Sequence, residues 1–213
     1  MTSRDQILAD IRTALGRSGG QPAAPLAAPL LRGPRFNRDL YIQTFVQRFE
    51  KLAGNAFVVE NAAAVVPLLS SLLDAKRVVA SNAPFLEACG ITALPQVQSG
   101  FTDRDALREA CAAADIGITS ADYALAETGT LVMLSSRQEA RLVSLLPPVH
   151  LAIIPRSRIV ANLDELLSLL PKPAEQSSSM VLITGPSRTA DIEQILVRGV
   201  HGPGEIYAVI VEK

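Results

Sequence analysis

The stretch Asp115–Leu134, DIGITSADYALAETGTLVML, decides how the chain is read. Ile116–Thr119 is short, β-branched and apolar, and Leu131–Leu134 is a segment of the same kind. Each reads as a buried strand. The crossing between them holds Thr119, Ser120, Asp122, Glu127, Thr128, Gly129 and Thr130. Small hydroxyls, two carboxylates and a glycine are thus set between two hydrophobic strands. Strand ends of this kind are where α/β folds place ligands.

Working outward, strand and helix patterns alternate. Ala56–Val59, Arg77–Ala80, His150–Ile154, Met180–Thr184 and Ile206–Val211 read as strands, with Gln96–Gln98 as an edge strand. Helices are expected from Asn61 to Leu73, from Pro84 to Ala88, from Thr102 to Ala114, from Leu163 to Leu170 under an Asn162 cap, and from Asp191 to Arg198. A helical turn is expected within Glu139–Leu146, and Pro171–Ser179 reads as a polar loop. Short apolar strands alternating with helices imply an α/β fold, a mainly parallel sheet with helices on both faces. Before this region, residues 1–54 read as an N-terminal extension. Thr2 or Ser3 caps a helix with Ile7, Leu8, Ile11 and Leu15 on one face, ended by Gly16. A Pro/Ala-rich arm covers Arg17–Phe36, and Asn37 caps a second helix from Arg38 to Ala53. The α/β domain then spans residues 55–213. The apolar face of the first helix needs a partner, either the body of the chain or a second copy.

Composition narrows the function classes. Twenty Lys and Arg against 21 Asp and Glu leave a formal net charge of −1. No basic stripe is present, which argues against nucleic acid. No apolar run is long enough to span a membrane. Cys89 and Cys111 show no metal-ligand spacing and sit among apolar residues, as expected of reduced thiols in a cytoplasmic protein. Neither a metal site nor a bound cofactor is implied.

Four runs carry residues suited to chemistry. In Ala126–Thr130, AETGT, Glu127 is a candidate nucleophile or general base, with Thr128, Gly129 and Thr130 as ligand contacts. Burial would favour its neutral form, and Gly129 would let the backbone approach a ligand closely. The structural alternative is a carboxylate that holds a turn. In Thr184–Glu193, TGPSRTADIE, a glycine turn leads into the expected helix. Its free amides with Gly185, Ser187, Arg188 and Thr189 would cradle a carboxylate or phosphate; the alternative is a helix capped by Ser187 or Thr189. In Gly199–Pro203, GVHGP, His201 is a candidate acid/base or a contact to a carboxylate, against a structural loop histidine. Arg141, leading into an apolar run, either pairs with Glu127, binds an anion or faces solvent. His150, at the start of a buried strand, reads as structural.

These runs, together with SLLPPVH at Ser144–His150 and GITSADYALAETGT at Gly117–Thr130, resemble the lactate utilisation protein C family, whose domain is called LUD. The resemblance implies a three-layer architecture like that of the NagB/RpiA/CoA-transferase group. It also implies a non-redox subunit or accessory protein that works with two iron–sulfur proteins in oxidising L-lactate to pyruvate. No catalytic residue comes with it. The partners it implies are those two proteins; the anion-suited runs add a small carboxylate or phosphorylated metabolite, and the unpartnered first helix and arm add a homodimer as a further arrangement. Two other readings stand beside this one. The first is a free-standing acyl/CoA-transferase- or sugar-phosphate-isomerase-type enzyme using Glu127, since AETG is similar to the glutamate–glycine site of CoA transferases. The second is a metabolite-binding regulatory module.

Overall fold

The computed structural model describes residues 2–18, 40–190 and 196–213. The chain divides into two units, Met1–Arg32 and Gly33–Lys213. In the first, helix α1 (Ser3–Ala14) starts at a capping box. The Thr2 hydroxyl accepts from the Asp5 amide at 3.3 Å, and the Asp5 carboxylate accepts from the Thr2 amide at 3.0 Å.

The second unit is built on a six-stranded, all-parallel sheet. Its strands are β1 (Asn55–Val59), β2 (Val78–Ala80), β3 (Val97–Gln98), β4 (Ile116–Ser120), β7 (Val149–Pro155) and β12 (Glu205–Val211), in the order β1-β12-β7-β4-β2-β3. Side chains alternate between the two faces. Ile116, Ile118, Leu151, Ile153, Val209 and Val211 meet α3 (Val65–Leu73) and α4 (Pro84–Ala88) on one face. On the other, Ala152, Ile154, Ala208 and Ile210 meet Phe45 and Phe49 of α2 (Tyr41–Lys51). Those two rings stack with centroids 5.3 Å apart. Helices α5 (Arg104–Ala113) and α6 (Arg141–Leu145) cover the sheet near β2 and β4. Gly117 in β4 makes this possible, because a Cβ there would run into the Val143 carbonyl of α6. The α/β architecture with a mainly parallel sheet matches the reading of the sequence.

One layer departs from that reading. The face bearing α2 is also covered by a second, mixed sheet of four strands. It contains β5 (Tyr123–Leu125), β6 (Thr130–Leu134), β8 (Ile159–Val160) and β9 (Met180–Ile183), in the order β8-β5-β6-β9. The two apolar runs of the deciding stretch therefore lie in different sheets, with an extra strand, β5, between them. Helix α7 (Leu163–Leu169) packs Leu166 onto the outer side of this second sheet. As expected, Asn162 caps it, its side chain accepting from the Glu165 amide at 3.0 Å.

The helix expected over Asp191–Arg198 does not include its last three residues. Leu196–Arg198 is a strand, β11, paired antiparallel with β10 (Arg188–Ala190), and residues 191–195 lie outside the described set. Helix α5 is capped by Asp103, not Thr102, because the Asp103 carboxylate reaches the Ala106 amide at 2.8 Å. The polar loop after α7 contains one helical turn, α8 (Pro173–Gln176). Asn37 and the arm fall outside the described residues.

Candidate functional site

Three of the four sequence runs converge at the amino-terminal end of the parallel sheet. The β5–β6 turn places Ala126 and Glu127 against β8 and the residue after it: their amides donate to the Val160 and Ala161 carbonyls at 2.9 Å. Glu127 is half-buried. Among the described residues its carboxylate has no hydrogen-bond or ion-pair partner. Gly129 has φ +64°, and a Cβ there would sit 2.5 Å from the Phe49 amide nitrogen. Its close backbone approach is thus to helix α2. Thr128 and Thr130 share a hydroxyl hydrogen bond of 2.7 Å, and Thr130 another of 2.8 Å with Thr184 at the end of β9. AETGT and TGPSR are joined through this threonine chain.

The TGPSR run meets GVHGP in turn. The Ser187 amide donates to the Pro203 carbonyl at 2.8 Å, and the Gly199 amide donates to the Ser187 carbonyl at 3.0 Å. The Gly204 amide donates to Pro148 at 3.0 Å, which ties both loops to the start of β7. Arg188–Ala190 is extended strand, so among the described residues Gly185–Thr189 present no free helical amides. The Arg188 guanidinium donates to the Leu52 carbonyl at 2.7 Å, at the C-terminal cap of α2. Cations are favoured at such a helix end. Gly185 lies against the same carbonyl. Thr189 lies in β10, and its side chain is outside the described set. His201 is exposed. Arg141 is not part of this cluster: its guanidinium donates to Ser179 Oγ at 3.3 Å, and it does not pair with Glu127.

His150 is fully buried and pairs with Thr119 through a 2.8 Å contact at Nε2. Burial pushes its pKa down to about 4, so the ring is neutral at physiological pH. The expected satisfied structural role holds at Nε2 only, because Nδ1 is buried with no hydrogen-bond partner among the described residues. The two thiols are buried and free, each pushed up to about 11 by burial.

A second constellation lies at the opposite, carboxyl-terminal end of the sheet, and it centres on Glu139. From β2 the chain moves outward to β3, whereas β4, β7 and β12 step the other way. The winding reverses between β2 and β4, the usual place for a ligand crevice. Glu139 Oε1 spans that point, accepting from Ser81 Oγ at 2.9 Å and from the Ser120 amide at 2.8 Å. Burial raises its pKa to about 8, despite the two hydrogen bonds, and Asp122 pushes the same way. The acid is therefore protonated at neutral pH. Asp122 is also raised by burial; its Oδ2 accepts from the Leu134 amide at 2.6 Å. A crevice of about 500 Å³ runs past Ser120, Asp122, Glu139, Ser157 and Arg158. Another, of about 760 Å³, runs past Asn82, Asp103, Arg137, Glu139 and Arg141.

Sequence reasoning passed over Glu139 as a site residue. The available signal was its spacing from Ser136, the S-x-x-E pattern of a helix start. Ser136 Oγ does accept from the Glu139 amide at 2.9 Å. The carboxyl group, however, turns inward to the strand ends.

The LUD domain family model matches residues 42–211, which takes in all of α2 but Tyr41, both large sheets and all four runs. This chain belongs to the LUD-domain family. Lactate utilization protein C of Halalkalibacterium halodurans is 41% identical over 147 residues, covering 65% of this chain and 64% of that protein. The chain thus spans just under two thirds of that relative. Lactate utilization protein C of Anoxybacillus flavithermus is 36% identical over 166 residues, covering 74% of each. Among solved structures, a DUF162 family protein from Deinococcus radiodurans shares the fold, with a TM-score of 0.64 at 18% identity over 83% of this chain and 99% of that one. Among the described residues of the LUD domain, no group of three or more His, Cys, Asp or Glu is placed to hold a metal ion. No described helix is long and apolar enough to cross a membrane.

Proposed function

We propose that this LUD-domain chain serves lactate utilisation, as a non-redox component of a cytoplasmic system that oxidises L-lactate to pyruvate beside two iron–sulfur proteins. The observation that carries this reading is its similarity, at 36–41% identity over 65–74% of its length, to proteins named Lactate utilization protein C. The partners would hold the redox centres. The amino-end cluster, with the Glu127 carboxylate and the Arg188 guanidinium, is the surface where substrate or partner would meet the family's characteristic runs.

The test is lactate-dependent electron transfer through the two iron–sulfur partners, with and without this chain. A requirement for the chain supports the reading, and Glu127→Gln and Arg188→Ala then separate chemistry from assembly. Unchanged activity without it removes the chain from the reaction.

A transferase- or isomerase-type reaction is the second reading, favoured by the half-buried Glu127 carboxylate, which has no partner among the described residues. Incubation with acyl-CoA and lactate or acetate addresses it. A covalent label that persists in Glu127→Gln rules out Glu127 as nucleophile.

A further inference from the structure

The lactate reading leaves Glu139 without a use. Glu139 is 7% exposed, and its Oε2 is buried with no hydrogen-bond partner among the described residues. An idle oxygen on a buried carboxyl group costs stability, and folds ordinarily avoid it. The residue also stands at the reversal point of the sheet, in the wall of the 500 Å³ crevice. That volume lies within the range of small-molecule sites.

We propose that this crevice binds a small monocarboxylic acid bearing a hydroxyl or oxo group beside the carboxylate, with Arg158 pairing the carboxylate and the Glu139 carboxyl group donating a hydrogen bond to the neighbouring oxygen. The choice of acid rests on the lactate reading; the site itself rests on the geometry. Arg158 is held in place by Tyr123, donating to its hydroxyl at 3.2 Å and lying 5.2 Å from its ring centroid. Ser120 and Ser157 add hydroxyls to the same wall. Asp122 faces the crevice as well, so a dianion such as phosphate would meet a carboxylate with one arginine to offset it. A monoanion suits that balance.

The donor role requires the Glu139 proton. Burial keeps that proton in place up to about pH 8. The other groups facing Glu139 are Asp122 and Arg158 from the ends of β4 and β7, and Arg137 and Arg141 on its own segment; Asp103 and Arg104 at the start of α5 face it across the larger crevice.

Calorimetric titration of the folded chain with L-lactate, pyruvate and inorganic phosphate between pH 6 and 9 tests the proposal. L-Lactate or pyruvate should bind at pH 6.5, and the affinity should fall about tenfold by pH 9 as Glu139 ionises. Glu139→Gln keeps an acceptor for Ser120 and a donor for the ligand at every pH, so its affinity should not fall over that range. Arg158→Ala, a change at an exposed residue, should weaken binding about tenfold or more. Absence of binding by the folded wild type at pH 6.5 overturns the proposal. So does an alkaline loss that persists in Glu139→Gln, or phosphate binding as tightly as either acid. If the chain is required for lactate-dependent electron transfer yet binds neither acid, this site fails and the lactate reading stands.

Discussion

A single carboxyl group, Glu139, links local sequence to the pH response of the whole domain. In the unfolded chain it loses its proton near its ordinary value of 4.5, whereas the fold holds that proton to about 8. Between those values the native state binds more protons, so its stability falls as pH rises. Scanning calorimetry across pH 5–8 should show this decline, and Glu139→Gln should remove a component worth a few kcal/mol. His150 acts in the opposite direction. Its folded pKa of about 4 lies below the ordinary 6.5, so stability falls as pH drops through that window. His150→Gln should flatten that acid limb in the same experiment. Gly129 is the third residue with a sharp expectation. With φ +64° and no room for a Cβ against Arg48 and Phe49, Gly129→Ala should cost about 2 kcal/mol or more in urea unfolding. Its need for glycine was legible in AETGT, but the neighbour that imposes it was not. The surface it approaches belongs to a helix some eighty residues earlier in the chain, and local sequence carries no trace of that contact.

Among the elements, α2 shows how periodicity becomes packing. Tyr41, Phe45 and Phe49 recur every four residues, and all three are buried against the sheet. Phe45→Ala should destabilise the domain by about 3–5 kcal/mol, measured by chemical denaturation. The β10–β11 hairpin shows the limit of such reasoning. Leu196–Arg198 fits a helical pattern locally, yet it pairs with Arg188–Ala190 and its end is held by the Ser187–Gly199 bond. Ladder pairing satisfies backbone groups that a short helix would leave free at its ends. The threonine chain ties these elements together at β9. A double-mutant cycle of Thr130→Val and Thr184→Val should give a coupling of about 1 kcal/mol. Additive effects would show that their 2.8 Å contact carries no stability of its own.

Across the whole molecule, polar chemistry is divided between the two ends of one parallel sheet. The runs that carry the family resemblance gather at the amino end, around Thr130, Ser187 and Pro203. The crevice and its buried acid occupy the carboxyl end, at Ser81, Ser120 and Glu139. If partners dock at the amino end, Arg188→Ala should lower partner-dependent electron transfer while leaving acid binding at the crevice unchanged. Parallel reconstitution and titration of that variant check it.

The sequence by itself determined the α/β class, most strand positions, the cap at Asn162, the narrowing of the first cap to Thr2 or Ser3, and the family. Those properties depend on alternation of apolar residues and on hydroxyl or amide side chains within three residues of a helix start, so neighbouring residues suffice. Only the tertiary structure decided that Leu131–Leu134 enters a second sheet, that Arg188–Ala190 pairs antiparallel with Leu196–Arg198, and that Glu139 is buried. Each of these depends on which distant group comes within hydrogen-bonding reach: β9 for β6, β11 for β10, and the Ser81 hydroxyl for Glu139. A carboxyl group's environment is set by the strands that close over it, and fifty-eight residues of chain separate Glu139 from the serine that holds it.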